Sequence, residues 1–385
     1  MAKLSASAVG DLLHKRAGAP LVTLYMPTHN ASTPPNISED QLRFKNLQSR
    51  VIEILKASPE VDTRTGQALQ RRLLGIADDL GFWENRTYGL AAFISPDDTT
   101  TFDLPIDCDE YVAVDSRFHI SPLIGLLGQW VEFYVLVLSQ KETKLFTGDM
   151  YGLRPTDIAL PIAGTGGRHG QDAKPGKIHT PASHDGGRPE YFGKEFPLIT
   201  KEDRLHFFRA TDQAIRKYAD TKCPLVLAGP EPDIEMYRSV SQYPNILVGY
   251  VASANSATTP HSLTPSILRI IGKEILSKRR KQAVERYDRL AGATPGRASA
   301  ELAAIQDASD KGRIDTLLVR LIRNTTDTVR DNKMDVPKLR FLPDEQMATI
   351  DAIALQTWKN HGDTVLLDDA STTPPNTTLA AIMRY

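Results

Sequence analysis

The sequence predicts an α/β protein made of three α/β domains in a row. Apolar, strand-like runs such as 131–138 alternate along the chain with amphipathic segments such as 201–219, an order typical of βαβ units. The chain has 385 residues, more than one hydrophobic core usually supports. Its 41% hydrophobic and 24% charged residues are typical of globular proteins rather than of disordered chains. We predict domains at 1–128, 129–274 and 275–385.

The first predicted domain is an α/β unit whose first strand ends at Pro27. Ser38 and Gln41 have the spacing of a capping box, which places the start of a helix at Ser38. The predicted elements are, in order, a helix at 4–17, a strand at 21–26, the helix from Ser38, a helix at 66–79, and strands at 88–94 and 111–115.

Polar and basic residues surround the start of the helix at Ser38. They are the loop residues His29 and Asn30 and the helix residues Arg43, Lys45 and Arg50. Side chains of these types donate hydrogen bonds to phosphate oxygens, so we predict an RNA contact here. A solvated helix face is the alternative that the sequence leaves open.

The second predicted domain starts with a strand apolar enough to lie in the middle of a sheet. A short turn pairs this strand with the next one as a hairpin. The predicted elements are strands at 131–138 and 144–147, a helix at 201–219, a strand at 224–228, a helix through Met236 and a strand at 246–250.

A glycine-rich tract at 163–196 interrupts the second domain. Loops of this length without secondary structure are uncommon in compact domains, and they are usually functional or disordered. Its cations can contact phosphates and its histidines can stack on bases, although four acidic residues nearly balance the charge. The predicted binding residues of this loop are Gly166, Gly167, Arg168, His169, Gly170, Gln171, Lys174, Lys177, His179, His184 and Arg188.

The third predicted domain begins with a long basic helix at 265–290 that contains the run 277–282, Ser-Lys-Arg-Arg-Lys-Gln. This run fits a solvated face, a hinge or an RNA contact. A turn at 292–296 ends the helix. The elements that follow are a helix at 299–310, a strand at 312–320, a helix at 343–361, a strand at 364–367 and a final segment at 381–385.

Several classes of protein and site are not favoured by the sequence. A net charge of -1 is unlike that of a dedicated DNA- or RNA-binding protein. Cys108 and Cys223 lie far apart and form no CxxC pair, and the loop histidines have no zinc-ligand spacing, so we predict no metal. The loop also lacks the Gly-Lys-Ser/Thr of a phosphate-binding loop, and no apolar run reaches membrane-spanning length. We therefore expect a cytoplasmic protein with no cofactor.

Taken in order, the predicted elements resemble the middle and carboxy-terminal domains of class I release factors and Pelota. The form is that of the bacterial archaeo-eukaryotic release-factor-like family, which includes a ribosome hibernation factor. The segments that carry the resemblance are 133–138 with 144–146, Leu160-Pro161 before the glycine-rich loop, 225–229, 312–319, 361–365 and 382–385. In the first domain, 24–28 and 43–47 resemble the bacterial branch rather than the eukaryotic decoding domain.

The resemblance implies a loop that enters the ribosomal peptidyl-transferase centre. Release factors carry Gly-Gly-Gln there, and paired glycines adopt backbone conformations closed to other residues. In this sequence Gln171 follows a single glycine, and His169 stands in the place of the other. Because a displacement of about 1 Å can cost on the order of a hundredfold in rate, we expect binding without catalysis.

The function that the resemblance implies is a monomeric translation factor that occupies the A site of the 70S ribosome. It would hold the ribosome inactive during hibernation, with EF-Tu as its partner GTPase and with no contact to DNA or a membrane. A rescue factor that hydrolyses peptidyl-tRNA through Gln171 is the first alternative. An RNA-binding protein unconnected with ribosomes is the second, although no acidic cluster for two-metal chemistry stands near the hairpin at 133–146.

Overall fold

The structure is a computed structural model that describes residues 4–14, 20–29, 33–59, 61–84, 86–139, 143–161, 200–252, 259–294, 296–329, 332–369 and 377–385. It confirms the α/β class, because helices and mixed sheets alternate along the chain. The chain forms two compact units. One combines Met1–Trp130 with Ile275–Tyr385, and the other is Val131–Glu274.

The first segment builds a four-stranded antiparallel sheet in the order β3-β2-β1-β5. Its helices cover the sheet around a core that includes Leu24, Phe44 and Trp83. The elements are α1 (Ala6–His14), β1 (Leu21–Pro27), α2 (Pro34–Ala57), α3 (Thr63–Asp78), α4 (Leu80–Trp83), β2 (Gly89–Ile94), β3 (Thr99–Leu104), β4 (Asp107–Cys108), β5 (Tyr111–Asp115) and α5 (Ser121–Gly128).

The predicted start of α2 at Ser38 is wrong. The helix begins at Pro34, with Thr33 as an N-cap residue whose side chain accepts no capping hydrogen bond. Proline is tolerated in the first turn of a helix because the backbone N–H that it lacks would have no partner there. The Ser38–Gln41 spacing therefore lies inside the helix and caps nothing.

The middle segment builds a five-stranded sheet in the order β10-β9-β6-β7-β8. The predicted hairpin is confirmed, since β6 and β7 pair antiparallel, whereas β9 runs parallel to β6 and β10. The elements are β6 (Phe133–Val137), β7 (Lys144–Asp149), β8 (Gly152–Pro155), α6 (Lys201–Tyr218), β9 (Leu225–Gly229), α7 (Glu231–Val240), β10 (Ile246–Ala252) and α8 (Pro260–Ile271).

Gly229 ends β9 in a backbone conformation that only glycine adopts easily. Its φ is +145°, and a Cβ there would lie 2.6 Å from the carbonyl oxygen of Leu138. The chain can therefore pass from the sheet directly into α7.

The predicted basic helix at 265–290 is longer than expected and is irregular. It starts at Pro260, keeps Pro265 inside its first helical section, and passes through a π-helical turn at Gly272–Leu276 before α9. The elements after that turn are α9 (Ser277–Ala293), β11 (Ala298–Ser299), α10 (Leu302–Asp310), β12 (Ile314–Val329), β13 (Asn332–Leu339), α11 (Asp344–Lys359), β14 (Asp363–Asp368) and β15 (Leu379–Met383).

Elements of the first and third predicted domains share one unit. Strand β4 adds to the edge of the third sheet by pairing with β13, which gives the order β11-β15-β12-β13-β4, with β14 paired to β12. Helix α5 packs on β14 so closely that a Cβ on Gly125 would overlap the side chain of Leu366. The predicted domain bounds lie close to the limits of the two units, and the division into three domains stays a prediction.

Candidate RNA-binding surfaces

The predicted binding loop lies outside the described residues. This applies to all eleven of its predicted contact residues, from Gly166 to Arg188, and also to Asn30 of the first segment. The structure does describe the residues on either side of the loop in the sequence. One is the extended segment that follows β8 as far as Pro161, and the other is Thr200 at the start of α6.

Thr200 fixes the carboxyl-terminal end of the loop with a capping box. Its hydroxyl accepts from the backbone N–H of Asp203 at 3.1 Å, and the Asp203 carboxylate accepts from the Thr200 N–H at 3.2 Å. The hydrogen bonds from Thr200 lower the pKa of Asp203 below its usual value. A chain leaving the loop therefore enters a helix whose first turn is already defined.

A buried carboxylate holds α6 against α7. Asp212 is 2% exposed, and its oxygens accept from the Tyr237 hydroxyl at 3.1 Å, the Arg216 Nε at 2.9 Å and the Gln242 backbone N–H at 3.2 Å. Burial and the charge of Asp212 raise the pKa of Tyr237 above its usual value, so the phenol stays protonated. This network makes α6 a rigid support beside the loop.

On the other side of the loop, Asp149 holds the β7–β8 turn. The residue is 3% exposed, and its carboxylate accepts from the Tyr151 backbone N–H at 2.8 Å and from Arg154 Nη2 at 2.5 Å. A buried carboxylate with these partners fixes β8, the last described strand before the loop.

In the first segment, His29 is engaged by acidic residues. Its Nδ1 lies 2.8 Å from Asp40 Oδ1, its backbone N–H donates to Asp40 Oδ2 at 2.9 Å, and its Nε2 lies 3.8 Å from Glu39. An imidazole held in this way supports the β1–α2 connection. A free phosphate ligand would have to compete with two carboxylates at this position.

Arg43 is paired in a similar way, whereas Arg50 is not. Arg43 contacts Glu39 at 3.0 Å and Glu110 at 3.4 Å, and also donates to the Pro27 carbonyl. Lys45 lies 4.0 Å from Asp78, at the limit of an ion pair. Arg50 is exposed and forms no ion pair with a described residue. Of the predicted cations here, Arg50 has the geometry most compatible with a phosphate contact.

Two residues of the basic run at 277–282 make contacts within the unit formed by 1–130 and 275–385. Arg280 pairs with Asp368 at 3.1 Å, with both side chains mostly buried, and Arg279 donates to the Trp130 carbonyl at 3.3 Å. Lys281 lies 3.8 Å from Glu285, and Lys278 is exposed. The two arginines therefore brace the unit, and the two lysines face solvent.

A buried ionisable cluster was not predicted from the sequence. His119 is 1% exposed, its Nδ1 lies 2.9 Å from Asp351, and its Nε2 lies 3.4 Å from Asp115. Burial alone lowers the pKa of His119, but the contact with Asp351 and the charges of Asp351, Asp115 and Asp344 outweigh it and raise the pKa above its usual value. The cluster joins the first and third segments. In the sequence, only the i,i+4 spacing of Asp115 and His119 could have indicated it.

An open groove of about 590 Å³ lies between α3 and the start of β3. Arg72 spans it, donating from Nε to the Pro96 carbonyl at 2.9 Å and also to the Asp97 carbonyl. These two bonds occupy the guanidinium in holding the β2–β3 turn.

Among the residues that the structure describes, no group of three or more His, Cys, Asp or Glu side chains is arranged to hold a metal ion. Within the same ranges, no helix has both the length and the apolar character that crossing a bilayer requires.

Comparison with known proteins identifies the relatives of the chain. Residues 132–313 match the family described as Bacterial archaeo-eukaryotic release factor family 3. This range is similar to the bacterial archaeo-eukaryotic release-factor-like family, and it spans just under half of the chain. The range that matches this family runs from the start of the middle unit to the residue before β12, and it includes the predicted loop at 163–196.

Several solved structures match the chain at low identity and low TM-score. The archaeal translation termination factor aRF1 matches with a TM-score of 0.24 and 13% identity, over 98% of this chain and 97% of that one. Pelota of Archaeoglobus fulgidus matches with a TM-score of 0.37 and 11% identity, over 77% of this chain and 79% of that one. Dom34 of S. cerevisiae is described as interacting with Hbs1. It matches with a TM-score of 0.35 and 12% identity, over 76% of this chain and 73% of that one. No curated protein sequence matches the chain.

Proposed function

We propose that the chain is a cytoplasmic, monomeric factor that occupies the A site of the 70S ribosome and holds it inactive. The observation that carries the proposal is the family match, which includes the loop at 163–196. The sequence resemblance extends to the hibernation factor Balon, and hibernation is the specific role that we propose. The middle unit would bring its loop to the peptidyl-transferase centre, and the first segment would contact the decoding region.

The fixed ends of the loop support this role. Thr200 and Asp203 cap α6, and Asp149 holds β8, so the described residues on both sides of the glycine-rich segment are held in place. Glycines let the segment adopt a backbone that fits a narrow RNA channel, and its arginine, lysine and histidine residues supply donors for phosphates and bases.

Cosedimentation tests the proposed placement. The purified chain should sediment with vacant 70S ribosomes and be displaced by A-site tRNA, and added salt should weaken binding steeply because phosphate contacts release counterions. Equal binding to ribosomes with empty and filled A sites would contradict the placement.

A double substitution tests the role of the loop. Replacing Arg168 and His169 together by Ala should weaken binding to vacant 70S ribosomes by roughly 1 to 3 kcal/mol, the scale of charge-assisted hydrogen bonds and base stacking lost together. Replacing Asp172 by Asn in the same loop is the matched control and should not weaken binding. Unchanged affinity of the double variant would remove the loop from the interface.

A rescue enzyme is the second candidate, and the position of Gln171 directly after Gly170 favours it. Single-turnover release of peptide from a loaded P-site tRNA separates the two functions. Our proposal predicts release no faster than in a control without the factor. Release that is clearly faster, and that is lost on Gln171→Ala while binding persists, would establish hydrolysis, because a contact made only in the transition state acts on rate and not on affinity.

We also propose that EF-Tu binds the segment 275–385, as the resemblance to release factors and their GTPase partners implies. Removing this segment is not a clean test, because it forms one compact unit with residues 1–130. The test therefore uses the whole chain. EF-Tu should sediment with A-site-vacant ribosomes only when the chain is present, and EF-Tu recovery independent of the chain would contradict the contact.

A further inference from the structure

One face of α6 carries exposed polar residues at helical spacing. His206, Arg209, Gln213 and Lys217 are spaced by three, four and four residues, so they lie along one side of the helix. All four are exposed, whereas Phe208, Thr211, Asp212 and Ile215 are buried against the sheet and α7. We call His206, Arg209, Gln213 and Lys217 the α6 stripe.

The acidic residues of α6 do not neutralise the stripe. Asp212 is buried and bonded to Arg216 and Tyr237, and Asp203 belongs to the capping box. Glu202 lies in the first turn, ahead of the stripe. No described residue forms an ion pair with Arg209 or Lys217. The last three turns of the exposed face are therefore basic and free of carboxylates.

The charge of the stripe contrasts with that of the neighbouring helix. The exposed acidic residues Glu231 and Glu235 lie on α7, which packs beside α6 on the same core. The middle unit thus separates a basic helix face from an acidic one. A polyanion would approach the basic face, since like charge repels it from the other.

The chemistry of the stripe fits a nucleic-acid backbone better than a protein. Protein interfaces depend on buried aromatic or apolar anchors, and none of the four stripe residues is apolar. Arg209 and Lys217 are eight residues apart on the helix, or about 12 Å along its axis, so they can contact separate phosphates. His206 and Gln213 add hydrogen-bond donors between and beside them.

We propose that the α6 stripe binds the phosphate backbone of ribosomal RNA beside the channel that the loop enters. This inference rests on the proposed function for the identity of the RNA. It adds a second contact surface, on a rigid helix that starts directly where the loop ends at Thr200. The loop would supply reach, and the stripe would fix the orientation of the unit on the ribosome.

The test compares two double charge reversals in the whole chain. Arg209→Glu with Lys217→Glu alters the stripe, and Lys222→Glu with Lys273→Glu makes the same charge change at exposed residues of the unit outside it. The stripe variant should bind vacant 70S ribosomes about tenfold more weakly, and the slope of log affinity against log salt should fall by roughly 1.4 to 1.8 for two lost phosphate contacts. The control variant should keep the wild-type slope.

The outcomes separate this inference from the proposed function. Failure of the wild-type chain to bind ribosomes overturns the proposed function, whereas wild-type affinity and slope in the stripe variant overturn the stripe alone. Equal circular dichroism spectra and an active Arg209→Lys, Lys217→Arg variant show that charge, and not folding, is responsible. A photo-crosslinker at position 213 should label ribosomal RNA, and labelling of a ribosomal protein instead would overturn the choice of ligand.

Discussion

The two units of the molecule are built in opposite ways. Val131–Glu274 is one continuous stretch of chain, and its sheet, helices and loop ends all come from that stretch. The other unit joins residues from both ends of the chain through β4–β13 pairing, the packing of α5 on β14, and His119 beside Asp351. The continuous unit therefore depends on contacts within one stretch of chain, whereas the composite unit depends on contacts between distant segments for its own stability.

The aromatic and backbone contacts of the composite unit show how closely its two segments are joined. Tyr111 stacks on Phe341 with ring centroids 4.6 Å apart and an interplanar angle of 11°, and Tyr25 lies 4.7 Å from the same ring. The Ser121 N–H donates to Asp351 at 2.6 Å, and the Gln129 amide donates to the Leu366 carbonyl at 3.1 Å. Each of these contacts is lost when either segment is absent.

The largest expected effect comes from separating the segments. The fragment 131–274 should show a cooperative thermal transition by circular dichroism, because its core and sheet are complete. The fragment 1–130 should lack one on its own, because its buried aromatic and ionisable groups would face water, and adding 275–385 should restore it. Cooperative unfolding of isolated 1–130 would break the distinction between the two units.

A smaller effect is expected from single side chains. His119→Ala should lower the free energy of unfolding by about 3 kcal/mol, since it leaves Asp351 buried without its cation. Arg216→Ala in the other unit removes a partner of a similarly buried carboxylate, but Asp212 keeps Tyr237 and Gln242, so we expect a loss below about 1 kcal/mol. Chemical denaturation measures both. Equal losses would show that the contact between His119 and Asp351 matters no more for stability than the contact between Arg216 and Asp212.

The contact between His119 and Asp351 should also make the free energy of unfolding depend on pH. The pKa of His119 is raised in the folded chain, so its protonation stabilises the fold fully below the ordinary histidine pKa of about 6.5. That contribution is lost as the pH rises through the raised, folded-state pKa. The difference in unfolding free energy between the wild type and His119→Phe should therefore shrink as the pH rises above about 6.5. A difference that is constant or grows over this range would contradict a charged His119.

The smallest expected effect concerns the predicted RNA contact of the first segment. Arg50→Ala should weaken ribosome binding by about 0.5 kcal/mol, the scale of one exposed ionic contact. Arg43→Ala should weaken it less, because Arg43 is already paired with Glu39 and Glu110. Affinity measured by sedimentation tests this order, and a larger loss for Arg43 would show that its ion pairs open on the ribosome.

Local signals in the sequence predicted the continuous unit better than the composite one. The hairpin β6–β7, helix α6 and strand β9 follow from apolar runs and turns that lie next to each other in the chain. Strand β3 at 99–104 was not predicted. Its first three residues are threonines, which show no alternation of apolar and polar residues. The pairing of β4 with β13 and the place of α5 on β14 could not be predicted, since both depend on segments over two hundred residues away.

The same limit applies to the candidate contact residues. The Glu39–Arg43 pair has i,i+4 spacing and could be read from the sequence, whereas Glu110 reaches Arg43 only through the fold. The run at 277–282 is basic in sequence, but in the fold Arg280 pairs with Asp368 and is mostly buried. The α6 stripe had a readable helical spacing, although the sequence did not show that Asp212 points inward.

A cryo-electron-microscopy map of the chain bound to vacant 70S ribosomes would test the proposed placement in the A site. We expect the map to show the chain in the A site, with residues 163–196 at the peptidyl-transferase centre and with Arg209 and Lys217 facing ribosomal RNA. A map that places the chain away from the A site, or that turns the loop and the α6 stripe toward solvent, would contradict this expectation.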